Sequence, residues 1–110
     1  MMRYFVDSVI GTDRIGGRND SVDIPVGTVF TRVAKSRVDD DSMNLATVDL
    51  GDIATLSITL VGVEHFGHRI DYIPAAHSPT LFVDGDVAAL ADLLDACGER
   101  EYLHLIADAK

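Results

Sequence analysis

Cysteine is almost missing from this chain: its 110 residues include one, Cys97, and no tryptophan at all. A single cysteine excludes an internal disulfide framework and leaves a reducing compartment, the cytoplasm, as the expected location. Basic residues are also scarce. Nine Lys and Arg stand against 18 Asp and Glu, a net charge of -9. Nine acids face six bases in residues 1–55 and only three bases in residues 56–110. Such a field repels nucleic-acid phosphates and anionic lipid, because both are bound by displacing counterions with Lys and Arg. It suits a basic protein partner. No apolar run reaches the roughly 18 residues of a membrane helix. The opening MMRYFVDSVIG lacks the long apolar core and small-residue cleavage site of a signal peptide. Nothing reads G-x-x-x-x-G-K-[ST], and the glycines of GTDRIGG lack the lysine that would reach a phosphate.

What is present is a globular composition, 47% hydrophobic, at the usual size of one domain. One domain over residues 1–110 is therefore expected. RYFVDSVI (3–10) is rich in β-branched and aromatic residues and predicts a strand. GTDRIGGRND (11–20) predicts a loop or wide hairpin. In TVFTRVA (28–34), Val29, Thr31 and Val33 alternate with Phe30, Arg32 and Ala34, the pattern of a half-buried strand. RVDDDSMN (37–44) predicts a solvated loop, and LATVDLGD (45–52) a short extended piece with a turn. IATLSITLVGVEH (53–65) is the strongest strand signal, with Gly62 placed for a bulge. HRIDYIPA (68–75) is expected to pair back onto it, and PTLFVDG (79–85) to add a strand.

The periodicity then changes. Val87, Leu90, Leu93 or Leu94, and Cys97 fall at helical spacing, which predicts a helix over 86–98 capped by Asp84 or Asp86 and closed by Gly98. A final strand is expected over 101–107. Short strands at this spacing predict a mainly β fold: a small antiparallel β-barrel of about six strands with a helix and a last strand packed on it.

Several stretches resemble the β-barrel second domain of Tu-type translation elongation factors. They are YFVDSVIG followed by Gly16, Gly17 and Arg18; VDIPVGTVF with its turn at Val26, Gly27 and Thr28; and ITLVGVEHFGHRIDYIPAAHSPTLFVDG, carried by Val63, Glu64, Ile73, Pro74 and Ala75. The likeness covers roughly residues 3–85 and implies a barrel of that type, docking onto other macromolecules. It does not extend to GTP hydrolysis. Ala76 stands where the family has glycine, residues 37–49 read as an insertion, and everything after 85 is extra.

Candidate chemistry centres on VEHFGHRID (63–71). His65 and His68 flank Phe66-Gly67, and a two-residue turn would bring both rings to one face of a hairpin. A metal site would need His77 or Asp71 as further ligands. Phe-Gly is not the favoured order for a tight turn, so a longer loop competes with this reading. Cys97 and His104 could pair as nucleophile and base, but Cys97 lies near a helix C-terminus and on the apolar stripe. Asp39, Asp40 and Asp41 are contiguous, unlike the spaced acids of a calcium loop, and read as an acidic contact for a basic partner. Arg14, Arg18, Arg32, Lys35 and Arg37 read as local ion-pairing partners. No metal, cofactor or catalytic set is assigned.

The resulting expectation is a non-catalytic protein-binding module: an adaptor, a regulator, or an inhibitor such as an immunity protein. Its contacts would be Glu64, His65, Phe66, His68 and the Asp39–Asp41 run. Two other readings stand beside it. One is a small metal- or ligand-binding protein or enzyme using the histidine hairpin. The other, suggested by the resemblance alone, is a translation-associated RNA binder. Pairing of two copies through an exposed strand edge is also open.

Overall fold

The structure, a computed structural model, describes residues 2–41 and 44–108, with the backbone alone at 39–41 and 44–46. Ten elements follow in order: β1 (Met2–Ile10), β2 (Arg14–Asn19), β3 (Ile24–Pro25), β4 (Val29–Asp41), β5 (Asn44–His65), β6 (His68–Ile70), β7 (Tyr72–Ile73), β8 (Thr80–Gly85), α1 (Val87–Asp95) and β9 (Glu101–Ala107).

Six of the strands close on themselves. β1 pairs with β2, β2 with β8, β8 with β5, β5 with β4, β4 with β9, and β9 with β1, every pair antiparallel. The ring is barrel-like, as the strand pattern predicts, and closure leaves those ladders without a free edge over the paired stretches. Alternation along the strands fills its interior: Tyr4 and Val6 from β1, Ile58, Leu60 and Val63 from β5, Leu81 and Val83 from β8, Leu103 and Leu105 from β9. Val87 and Leu90 of α1 join this core, with Leu93, Leu94 and Cys97 packed against it, so the predicted apolar stripe is the buried one.

Close pairing of β1 with β2 depends on Gly17. A Cβ there would collide with the Phe5 carbonyl oxygen and press on the Tyr4 ring. β5 bulges between Leu60 and Gly62, where Gly62 marks it in the sequence. It turns Val61 outward, 52% exposed, while Leu60 and Val63 stay inside.

Several expectations are corrected. Residues 14–19 form a strand, β2, so only the start of the 11–20 segment is a turn. The loop expected over 37–44 is strand at its described residues, 37–41 and 44. β4 and β5 run on as an antiparallel ribbon, with Arg37 opposite Val48 and Asp41 opposite Asn44. Backbone pairing overrides the charge of the Asp run there. Ser42 and Met43 lie outside the described residues. The simple alternation of 29–34 breaks at a bulge between Phe30 and Arg32, which puts both Phe30 and Val33 in the core. Residues 72–73 leave β5 and pair instead with β3, where Pro25 needs no ladder donor. α1 stops at Asp95 with Ala96 as its cap residue, short of Gly98. Asp86 precedes the helix without a side-chain cap bond, and its carboxylate accepts from the Ser57 backbone N–H. Finally, β9 is a stave of the ring between β1 and β4, so the barrel is not complete at residue 85.

No helix among the described residues is long and apolar enough to cross a membrane.

Candidate functional site

The β5–β6 hairpin turns in two residues. His65 lies opposite His68 in the ladder, and Phe66 and Gly67 between them both have positive φ, 52° and 79°. This is the type I′ geometry, which favours Asn-Gly or Asp-Gly because both central residues sit in the left-handed region. The short turn therefore wins over the longer loop, and it does so with a phenylalanine in a strained place. Phe66 recovers nothing by burial: it is 87% exposed, the most exposed large hydrophobic side chain among the described residues.

Beside the hairpin runs the segment from Ala76 to Pro79. Together they line an open cleft of about 480 Å³ whose walls include Glu64, His65, Phe66, His77 and Ser78. The His65 ring lies 4.2 Å from the Phe66 ring and meets the His77 ring edge-on, with centroids 5.1 Å apart and planes at 90°. His77 Nδ1 is 2.8 Å from the Ala75 carbonyl oxygen. A carbonyl only accepts, so Nδ1 carries the proton and Nε2 of the neutral ring is left as an acceptor.

Buried polar groups hold this wall in place. Asn19, fully buried, donates from Nδ2 to the carbonyl oxygens of Val22, Ile73 and Pro74 at 2.8, 3.0 and 3.2 Å. Its Oδ1 accepts from the N–H and hydroxyl of Ser21. Its backbone N–H donates to the His77 carbonyl, and its carbonyl accepts from Ala76. The Ala75 N–H donates to Asp23, and the Tyr4 hydroxyl donates to the Pro79 carbonyl at 3.3 Å. Burial pushes the Tyr4 phenol far above its usual range, which keeps it a donor. Ala76 takes φ 64°, a second non-glycine residue in the left-handed region beside the cleft.

Three of the four hairpin residues named from the sequence, Glu64, His65 and Phe66, thus share one cleft. His68 does not line it; His77, named only as a further recruit, takes its place. Among the described residues no three of His, Cys, Asp and Glu gather closely enough to hold a metal ion. The side chains of Asp39, Asp40 and Asp41 lie outside the described residues.

Cys97 and His104 do not assemble into a pair. The Cys97 thiol donates to the Leu93 carbonyl, its charged neighbours are Lys35 and Glu101, and burial pushes its pKa up, away from a reactive thiolate. His104 instead sits in a polar cluster that no sequence spacing announces. Its Nε2 is 2.9 Å from the Ser36 hydroxyl and 3.2 Å from a guanidinium nitrogen of Arg3. A guanidinium only donates, so Nε2 accepts and the proton rests on Nδ1, which has no partner among the described groups. Burial first, then Arg3, lowers the His104 pKa, against opposing pulls from Asp20 and Asp49. Ser36 and His104 are each 4% exposed, which withholds this Ser–His contact from a substrate.

The early basic residues are largely engaged. Arg32 bridges Asp52 and Asp108 at 2.9 and 2.7 Å, Lys35 meets Glu101 at 3.0 Å, and Arg14 meets Asp13 at 3.7 Å. Compared with known proteins, the chain matches no family model, no curated protein and no solved structure.

Proposed function

We propose that this chain is a non-catalytic protein-binding module, an adaptor, regulator or inhibitor, which meets a basic partner through the β5–β6 hairpin and the neighbouring Ala76–Pro79 wall. One observation carries the reading: Phe66 is held almost fully in solvent at a φ that phenylalanine disfavours. Folding gains nothing from that arrangement, since asparagine would turn the chain more cheaply and a polar side chain would be better solvated. An aromatic ring presented on a rigid turn is what interface anchors supply, large contact area with little side-chain entropy to lose. The excess of acids over bases supports a basic partner and speeds its approach.

The test is capture of partners from the native lysate by the tagged protein, after nuclease treatment, beside the Phe66→Asn variant. The proposal expects one stoichiometric protein on the wild type and its loss from the variant. Equal retention by both would contradict it, as would a partner that is recovered only when the nuclease is omitted.

A further inference from the structure

The cleft beside Phe66 has the chemistry of a receptor for one kind of side chain. Its walls carry one carboxylate, Glu64, and no lysine or arginine. The base in register with Glu64 across the hairpin is Arg69, and Arg69 is turned away: its guanidinium lies over the Phe82 ring, 4.1 Å from the centroid. Glu64 is left exposed, with no ion pair or hydrogen bond to any described residue. The same cleft is bordered by three flat rings, Phe66 against His65 and His77 at a right angle to His65. The wall that carries His77 is fixed by Asn19 and Tyr4, so the rings meet an incoming group already in position.

A carboxylate beside aromatic faces selects a cation, and a planar one best. The ring quadrupole attracts positive charge over its face, while the fork of a guanidinium matches a carboxylate's two oxygens. The molecule uses the first half of this contact internally, at Arg69 and Phe82. The acidic field extends past the cleft. Across Ser78 lies a second hollow of about 490 Å³, lined by Phe5, Asp7 and Asp20 with Arg18 as its one base.

Resting on the binding-module reading, we infer that the cleft lined by Glu64, His65, Phe66 and His77 receives an arginine side chain of the basic partner. The guanidinium stacks on the cleft's rings and pairs with the Glu64 carboxylate.

The experiment is a titration of the full chain with N-acetyl-arginine methylamide, followed by NMR, beside the citrulline analogue, which keeps the shape and loses the charge. The arginine compound is expected to give saturable shifts confined to residues 64–67 and 76–80, the histidine ring signals included. The citrulline compound gives none. Glu64→Gln weakens the arginine titration by about fivefold or more, the scale of one ion pair and its hydrogen bonds, without changing the rest of the spectrum. Equal shifts from both compounds would overturn the inference, as would arginine shifts spread over acidic residues elsewhere or insensitive to Glu64→Gln. A partner that is captured and then lost with Phe66→Asn, while the arginine compound leaves the cleft unmoved, removes this inference and keeps the module. Arginine seated in the cleft with no protein captured keeps the site and removes the module.

Discussion

His65 and His77 meet edge to face, with centroids 5.1 Å apart, although one ends a barrel strand and the other belongs to a connecting segment. Their meeting depends on two things. A tight turn places His65 and Phe66, and a buried amide, Asn19, ties the backbone around His77 to the end of β2.

Phe66→Asn should make the protein more stable. It converts Phe-Gly into Asn-Gly, the pair best suited to a type I′ turn, at a position where 87% exposure means almost no burial is lost. Relief of left-handed strain is worth about 1 kcal/mol. Chemical denaturation should show a higher midpoint with an unchanged slope. Stability gained together with binding lost is the combination a purely structural role for Phe66 does not produce.

Asn19→Ala should cost about 3 kcal/mol, because the buried Ile73 carbonyl, the part-buried carbonyls of Val22 and Pro74 and the Ser21 N–H lose their partner together. Hydrogen exchange should rise first at Ala76, whose N–H donates to the Asn19 carbonyl, and at His77, whose N–H donates to the Pro74 carbonyl that Asn19 also holds. A loss confined to residues 19–22, leaving the cleft wall as protected as before, would show that Asn19 does not position it.

His104 should make the protein acid-sensitive. Its folded pKa is lowered from 6.5 by burial and by Arg3. The unfolded chain therefore takes up the proton more readily than the folded one. The stability tied to the neutral ring is full above about pH 6.5 and falls as pH drops below that value. His104→Gln should flatten this part of the profile between pH 7 and 5, measured by denaturation at each pH. A wild type and variant that lose stability in parallel over that window would contradict the assignment.

Removing residues 101–110 should abolish cooperative folding. β9 lies between β1 and β4, and its Leu103 and Leu105 are fully buried in the ring. Without it, both neighbours lose a ladder and the core loses a wall. Circular dichroism and a thermal melt check this. A truncated chain that melts in one sharp transition near the wild-type temperature would mean the barrel closes without its last stave.

The periodicity of single segments was legible in the sequence where burial alone determines it. Val87 and Leu90 lie on the buried face of the helix, with Leu94 packed against the same core, and Gly62 does mark a bulge. Which strand neighbours which was less legible. Nothing local in YLHLIA distinguishes a strand laid on a barrel from one built into it, because that depends on β1 and β4, far away in the chain. The ribbon formed by 37–41 and 44–49 was hidden by its charge, since an Asp run resembles a loop unless the opposite strand is known. At the site, Glu64, His65 and Phe66 were found through the unusual stretch they occupy. His77 reaches the cleft on a wall that Asn19 and Tyr4 hold from inside, through tertiary hydrogen bonds that leave no spacing to read.

The account turns most directly on Phe66, and the measurement that tests it is quantitative partner capture from nuclease-treated native lysate by wild type and Phe66→Asn at matched concentration. The account predicts a single basic protein, stoichiometric with the wild type and reduced at least about tenfold on the variant, the loss expected of one interface anchor, while the variant itself melts at or above the wild-type temperature. Equal capture by the two proteins would contradict it and leave the exposed ring without the role assigned here.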